Sequence, residues 1–205
     1  MHALILVDIQ YDFIPGGSLP VASGDAIIPL VNTLQESFPL VVATQDWHPA
    51  GHKSFASSHA EKKPFEQIDL HGLDQVLWPD HCIQGSRGAS FHHHLHMNKV
   101  ETIFRKGMDP EIDSYSGFYD NGYKKSTGLA GYLRERGVNK LFVCGLAADY
   151  CVFYTAKDAR KENFETYIVE DATRAIDPVG FDKVKAELLA SGGHVIQSNM
   201  LHLHL

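Results

Sequence analysis

The chain has 205 residues, 44% of them apolar and 21% charged, enough for one well-buried core and short for two. That balance excludes a fibrous repeat and a disordered chain. The formal net charge of −7 comes without any stretch of lysine and arginine interleaved with aromatics, which leaves a nucleic-acid partner no electrostatic footprint.

Residues 3–7 form an apolar run that predicts a buried strand, stopped by Asp8. Residues 25–37 carry Ile27, Ile28, Leu30, Val31 and Leu34 at helical spacing, with Asp25 as the predicted N-cap. A second strand is predicted over 40–44. The interval 47–100 is rich in His, Pro, Gly and Ser, with little periodicity and no predicted strand. Phe55, Phe65, Trp78 and Phe91 argue for order there, and an ordered stretch that long implies function. A short third strand is predicted over 102–104, then a helix over 128–136 that ends at Gly137. Strand 141–144, helix 149–161, strand 166–169, helix 178–190 and strand 194–196 complete the pattern. Apolar runs without alternation, separated by helices, predict an α/β fold. Its form is a three-layer arrangement, with a mostly parallel central sheet and helices on both faces, in one domain over 1–205.

Cys82, Cys144 and Cys151 are odd in number and lack zinc-knuckle spacing, so a disulfide framework is not expected and a reducing compartment is. The first apolar run is too short for a signal peptide or a membrane span, and a cytoplasmic protein with no membrane partner is expected. Among 13 histidines, several crowd into 92–96.

Parallel sheets bind ligands at the carboxyl ends of their strands. Asp8 follows the first strand, Asp46 and His48 the second, Arg105 and Lys106 the third, and Cys151 the fourth, across a Gly145-Leu146-Ala147-Ala148 turn. A thiol at a helix start is expected to have a lowered pKa, and free N–H groups there can hold an oxyanion. With Lys106 beside it and Asp8 to move a proton, the set suits acyl transfer from an amide. Asp46-Trp47-His48 is a candidate metal pair, with His81 or His52 as completion, and its donors suit Zn, Fe or Mn equally. A catalytically silent metal-buffering protein built on the 92–96 histidines, and a redox thiol protein, are the rivals from other classes.

Five ordered motifs resemble the isochorismatase-like cysteine hydrolases, in their nicotinamidase/pyrazinamidase branch, over nearly the whole chain. They are Asp8-Ile9-Gln10-Tyr11-Asp12-Phe13; Gln45-Asp46-Trp47-His48-Pro49 with His52; Trp78-Pro79-Asp80-His81-Cys82; Arg105-Lys106-Gly107; and Asp149-Tyr150-Cys151-Val152. The resemblance implies a catalytic triad of Asp8, Lys106 and Cys151, and a divalent metal on Asp46, His48 and His81, with His52 as an extra ligand in some relatives. It implies Phe13 and Trp78 on either side of a pyridine ring, Tyr115 near the pocket, and an oxyanion hole from the Ala147 and Cys151 N–H groups. It also implies a cis peptide between Leu146 and Ala147. The activity implied is hydrolysis of nicotinamide, and of pyrazinamide, in NAD salvage. A homo-oligomer is compatible with the family. The chain departs at Ala148, where relatives often have Thr. A family member acting on a carbamoyl or ureido compound is the nearest rival, though such relatives usually lack the Asp-x-His pair with its second histidine.

Overall fold

In a computed structural model that describes residues 1–205, the apolar runs are strands buried on both faces. In chain order the elements are β1 (His2–Val7), α1 (Ile28–Leu34), β2 (Val41–Asp46), β3 (Gln67–Leu70), β4 (Leu73–Val76), β5 (Val100–Lys106), α2 (Leu129–Glu135), β6 (Lys140–Leu146), α3 (Phe153–Lys161), β7 (Glu165–Arg174), α4 (Pro178–Ala190) and β8 (His194–Ile196). Six strands form one sheet in the order β5-β2-β1-β6-β7-β8, and every neighbouring pair is parallel. Successive side chains of a strand point to opposite faces. On β1, Leu4 and Leu6 therefore join Val31, Leu34 and Phe142 on one face. Ala3, Ile5 and Val7 join Leu133, Phe153, Ala156 and Leu188 on the other. Both faces are covered, by α1 on the first and by α2, α3 and α4 on the second, so neither pattern alternates with polar residues. The predicted three-layer α/β class holds. No helix is long and apolar enough to cross a membrane.

Four local expectations change. The 25–37 helix divides into a 3-10 turn (Gly24–Ile27), α1, and a second 3-10 turn (Gln35–Ser37), and the Asp25 side chain caps nothing. Pro29 lies in the first turn of α1 and has no N–H to bond residue 25, so the chain ahead of it takes the tighter turn. The third strand runs to Lys106, which pairs with Asp46 instead of following the strand. β5 is an edge strand with an alternating burial pattern, so its apolar run is shorter than the strand itself. The helix predicted from 149 opens with a π-helical turn (Ala148–Val152) before α3. Its signature is the Val152 N–H donating to Ala147 O at 3.1 Å. The interval 47–100 does contain strands, the antiparallel hairpin β3–β4. Its turn, His71-Gly72, has both residues at positive φ (56° and 81°), the backbone of a two-residue hairpin loop reached without the usual Asn-Gly.

Single bridges stitch the rest of that interval over the sheet's carboxyl edge: Gln10 to Phe91, His48 to Ile83 and Phe55 to Trp78. From β1 the chain proceeds toward β2 and β5, and from β6 toward β7 and β8. The connections thus diverge between β1 and β6, which opens a crevice at their ends. Gly145, at φ +119°, lets the two strands close up there, since a Cβ on it would lie 2.1 Å from Val7 O.

Candidate active site

Asp8 is the first residue past β1, fully buried and left-handed at φ 47°, a conformation an Asp tolerates better than most residues. Its Oδ1 accepts the Thr44 hydroxyl at 2.6 Å. Its Oδ2 lies 2.9 Å from Lys106 Nζ as an ion pair, without a directed hydrogen bond. Lys106 Nζ, from the end of β5, is the hub of the site. It donates to Asp46 Oδ1 at 3.1 Å, to Ser114 O at 2.9 Å and to Cys151 Sγ at 3.5 Å. Carboxylate, ammonium and thiol meet at the crevice between β1 and β6.

Burial decides the charges of this group. It pushes the Asp8 carboxyl up, the Lys106 ammonium pulls it back, and Asp46 pushes it up again, leaving it raised. Burial opposes the Asp46 charge too, but His48 and Lys106 together hold that carboxyl well below the usual range. Burial works against the Lys106 charge, and the carboxylates of Asp46 and Asp8 overcome it, so the amine stays protonated. The two carboxylates sharing one ammonium are thus driven apart. Asp46 stays ionised and Asp8 is the group able to exchange a proton. For Cys151 the expected lowering does not occur. Burial raises the thiol well above its usual value, Lys106 offsets part of that, and Asp8 and Asp46 add to it as negative neighbours. A helix start lowers a thiol pKa when water shares the task, and here the thiol is 8% exposed. Cys151 rests as a thiol with a base beside it.

The turn after β6 carries the cis peptide Leu146-Ala147. The N–H groups of Tyr150 and Val152 then close on Ala147 O at 3.2 and 3.1 Å. Ala147 and Cys151 both line a narrow cavity whose other walls include Phe13, Trp78, Tyr115, Tyr150 and Ile176. The Trp78 ring stands edge-on to Tyr150 at 4.8 Å and to Tyr115 at 6.2 Å. Apolar rings on several sides and a reactive edge at one end suit a flat aromatic amide.

Asp46 and His81 line the same cavity. The His48 Nδ1–H donates to Gly107 O at 2.9 Å and the His81 Nδ1–H to Pro79 O at 2.8 Å. A carbonyl only accepts, so both rings carry their proton on Nδ1. Both Nε2 atoms face Asp46 Oδ2, at 3.0 and 3.3 Å, as lone pairs when the rings are neutral, while a protonated His48 donates its Nε2–H to that oxygen. The group needs a positive charge, a proton on His48 or a metal ion in its place, and outer carbonyls clamping the far nitrogens are the usual support for metal-bound histidines. The donor set fits a divalent metal. Gly107 is part of that clamp, at φ +66°, and a Cβ there would lie 2.4 Å from the His48 ring. Gln10 fixes Asp46 from below, donating to Asp46 O and accepting from its N–H, both at 2.8 Å. Asp12 holds the His81 segment by accepting the Cys82 N–H at 2.7 Å. The alternate polar residues of the opening Asp-x-Gln-x-Asp motif thus point to three parts of one rim. His52 is buried against His48, with ring centroids 4.5 Å apart.

Thr44, Gln75, Asp113 and Ser114 are polar groups of the site to which the sequence assigned no role, and Tyr150 entered only as a member of the nucleophile motif. The alternation of β2 could have placed Thr44 beside Asp8, because Thr44 pairs with Val7 in register. Nothing local marks Gln75. The histidines at 92–94 lie apart from the cavity and pack against one another, with the tilted rings of His93 and His94 3.8 Å apart.

The Isochorismatase domain family model matches residues 2–200. A curated nicotinamidase of Acinetobacter baylyi is 48% identical over 96% of this chain and 92% of its own length. The structure of an Acinetobacter baumanii nicotinamidase/pyrazinamidase superposes with a TM-score of 0.96 at 47% identity, covering 98% of this chain and 97% of that one. A Pyrococcus horikoshii pyrazinamidase in complex with zinc superposes with a TM-score of 0.79 at 38% identity, over 96% of this chain and 98% of that one.

Proposed function

Because the chain belongs to the isochorismatase family, we propose that it is an amidohydrolase that converts nicotinamide to nicotinate and ammonia through a thioester on Cys151. It acts as a single domain over 1–205 and serves NAD salvage. The observation that carries this reading is the contact of Lys106 Nζ with Cys151 Sγ and Asp8 Oδ2 at the end of an aromatic-walled cavity. The pyridine ring lies between Phe13 and Trp78. Asp8 Oδ2, free of directed hydrogen bonds, takes the Cys151 proton, while Lys106 steadies the thiolate as it attacks the carboxamide carbon. Backbone N–H groups of Ala147 and Cys151 donate to the oxyanion. Asp8 returns the proton to the amide nitrogen, the C–N bond breaks, and ammonia leaves the thioester. Water then adds to the thioester carbonyl as Asp8 takes its proton. Nicotinate departs as Cys151 recovers its thiol.

The divalent ion, Zn, Fe or Mn, is held by Asp46, His48 and His81, with His52 beside them. When bound, it supplies a Lewis-acid contact for the pyridine nitrogen that orients the ring. Pyrazinamide, which keeps a ring nitrogen in that position, is the second substrate. Three unpaired thiols support a reducing, cytoplasmic setting.

Ammonia release from nicotinamide, pyrazinamide and benzamide tests the reading. The first two react, and benzamide, which lacks the ring nitrogen, is far slower. Equal turnover of all three would remove the orienting role, and no release from any would remove the function.

A further inference from the structure

Two buried groups beside the metal-binding residues have no part in the steps above. Asp113 is 3% exposed. Its carboxylate meets only neutral donors, the Ser114 N–H on Oδ1 at 2.8 Å and the Gln75 side-chain amide on Oδ2 at 3.1 Å. The basic group nearest it is the His48 ring, with Nε2 4.0 Å from Oδ1. A buried carboxylate without a cation keeps a large desolvation penalty. Lys106 is shared by Asp8 and Asp46, so Asp113 adds a further acidic group beside the imidazoles without a lysine or arginine of its own.

His52 supplies the opposite polarity. The Ser54 backbone N–H donates to its Nδ1 at 3.0 Å, so the neutral ring carries its proton on Nε2. That buried N–H makes no well-formed hydrogen bond, although the Asp109 backbone lies close to the ring. Ring nitrogens of His48 and His52 and an Asp113 oxygen all lie within 4.8 Å of one another. A single water at about 2.8–3.0 Å from each neighbour spans such a gap.

We propose that Asp113 and His52 are positioning residues that hold a water ligand of the divalent ion, Asp113 accepting its proton and His52 donating to its oxygen. Direct ligation through Nε2 would require His52 to move its proton to Nδ1 and give up the Ser54 N–H. Gln75, from β4, fixes the carboxylate and reaches the Tyr115 hydroxyl at 3.1 Å with the same amide, so the hairpin carries a wall of the metal chamber. This rests on the reading that a divalent ion resides at Asp46, His48 and His81.

Equilibrium Zn2+ binding by the purified metal-free protein, in competition with a fluorescent chelator, tests the proposal. Asp113→Asn is expected to weaken Zn2+ about 10–100-fold, the usual cost of losing an outer-shell partner. His52→Leu should do the same, and His52→Gln, which keeps an N–H donor, should restore most of the affinity. The absorption spectrum of Co2+-loaded His52→Gln should match that of the wild type, since no protein ligand is lost. Gln75→Leu reads the same interaction from outside the chamber, with a smaller loss, and serves if Asp113→Asn does not fold. Wild-type affinity in both Asp113→Asn and Gln75→Leu would overturn the proposal alone. So would a loss in His52→Gln as large as in His81→Ala, with a changed Co2+ spectrum. A wild-type protein that binds no Zn2+ would instead overturn the resident-ion reading, and this proposal with it.

Discussion

The chain has two histidine-rich regions, and they are built on opposite principles. At the sheet edge, His48, His52 and His81 come from separated positions, and each has its Nδ1 engaged by a backbone group or neighbouring side chain. At 92–94 the histidines are adjacent in sequence and their rings pack on one another. No carboxylate joins them in a metal-competent group. Density of a residue type does not make a site. A ligand needs its far nitrogen fixed, its near nitrogen aimed, and a charge to share, and those conditions come from distant parts of the chain.

The largest effect is expected at the shared carboxylate. Asp46→Ala leaves two imidazoles and Lys106 without their common partner, and disrupting such buried groups costs about 3–5 kcal/mol. Calorimetric Zn2+ titration should show affinity falling by two to three or more orders of magnitude, or about 1.4 kcal/mol for each tenfold step. Retained tight binding would move the metal elsewhere. Gly107→Ala tests the outer clamp alone, because the new methyl strikes the His48 ring. Overpacking of this kind costs about 1–3 kcal/mol, read as a lower unfolding midpoint, and metal affinity should fall with it.

Thr44→Val extends the same logic to the base. The Thr44 hydroxyl bond to Asp8 lowers that carboxyl's pKa, so its loss raises the pKa further. Since the ionised form is the base, the acidic limb of the kcat/KM profile should move to higher pH. An unmoved limb would mean that Asp8 does not set it. The smallest effect belongs to the exposed cluster. His93→Ala with His94→Ala should leave ammonia release and the tight Zn2+ site unchanged, and remove at most a weak surface site. Loss of the tight site would invert the comparison.

What the sequence revealed follows the same division. Strand ends were legible because a parallel sheet covered on both faces demands unbroken apolar runs, and the residue after each run lies at one edge. Asp8 and Cys151 were found that way, while Asp46, expected past its strand, is the last residue of β2. Lys106 was placed one step late, because the alternating edge strand β5 hid its own length. Partners that depend on a tertiary approach were not legible. Gln75 lies in a hairpin whose turn lacks the usual signal. Asp113 was given no role. The tautomer of His52 is set by a backbone N–H that no spacing rule reports. The state of Cys151 was misjudged for a related reason, since local helix geometry predicts a low pKa and only the packed site reveals the burial that reverses it.

The most direct test is acid quench of the protein during turnover of nicotinamide, followed by intact mass and peptide mapping. A nicotinoyl group on Cys151 is expected in the wild type. No acyl group is expected in Cys151→Ala, whose ammonia release should fall by about 10³-fold or more. Undiminished release from that variant, or an acyl group on Cys82 in place of Cys151, would contradict the account.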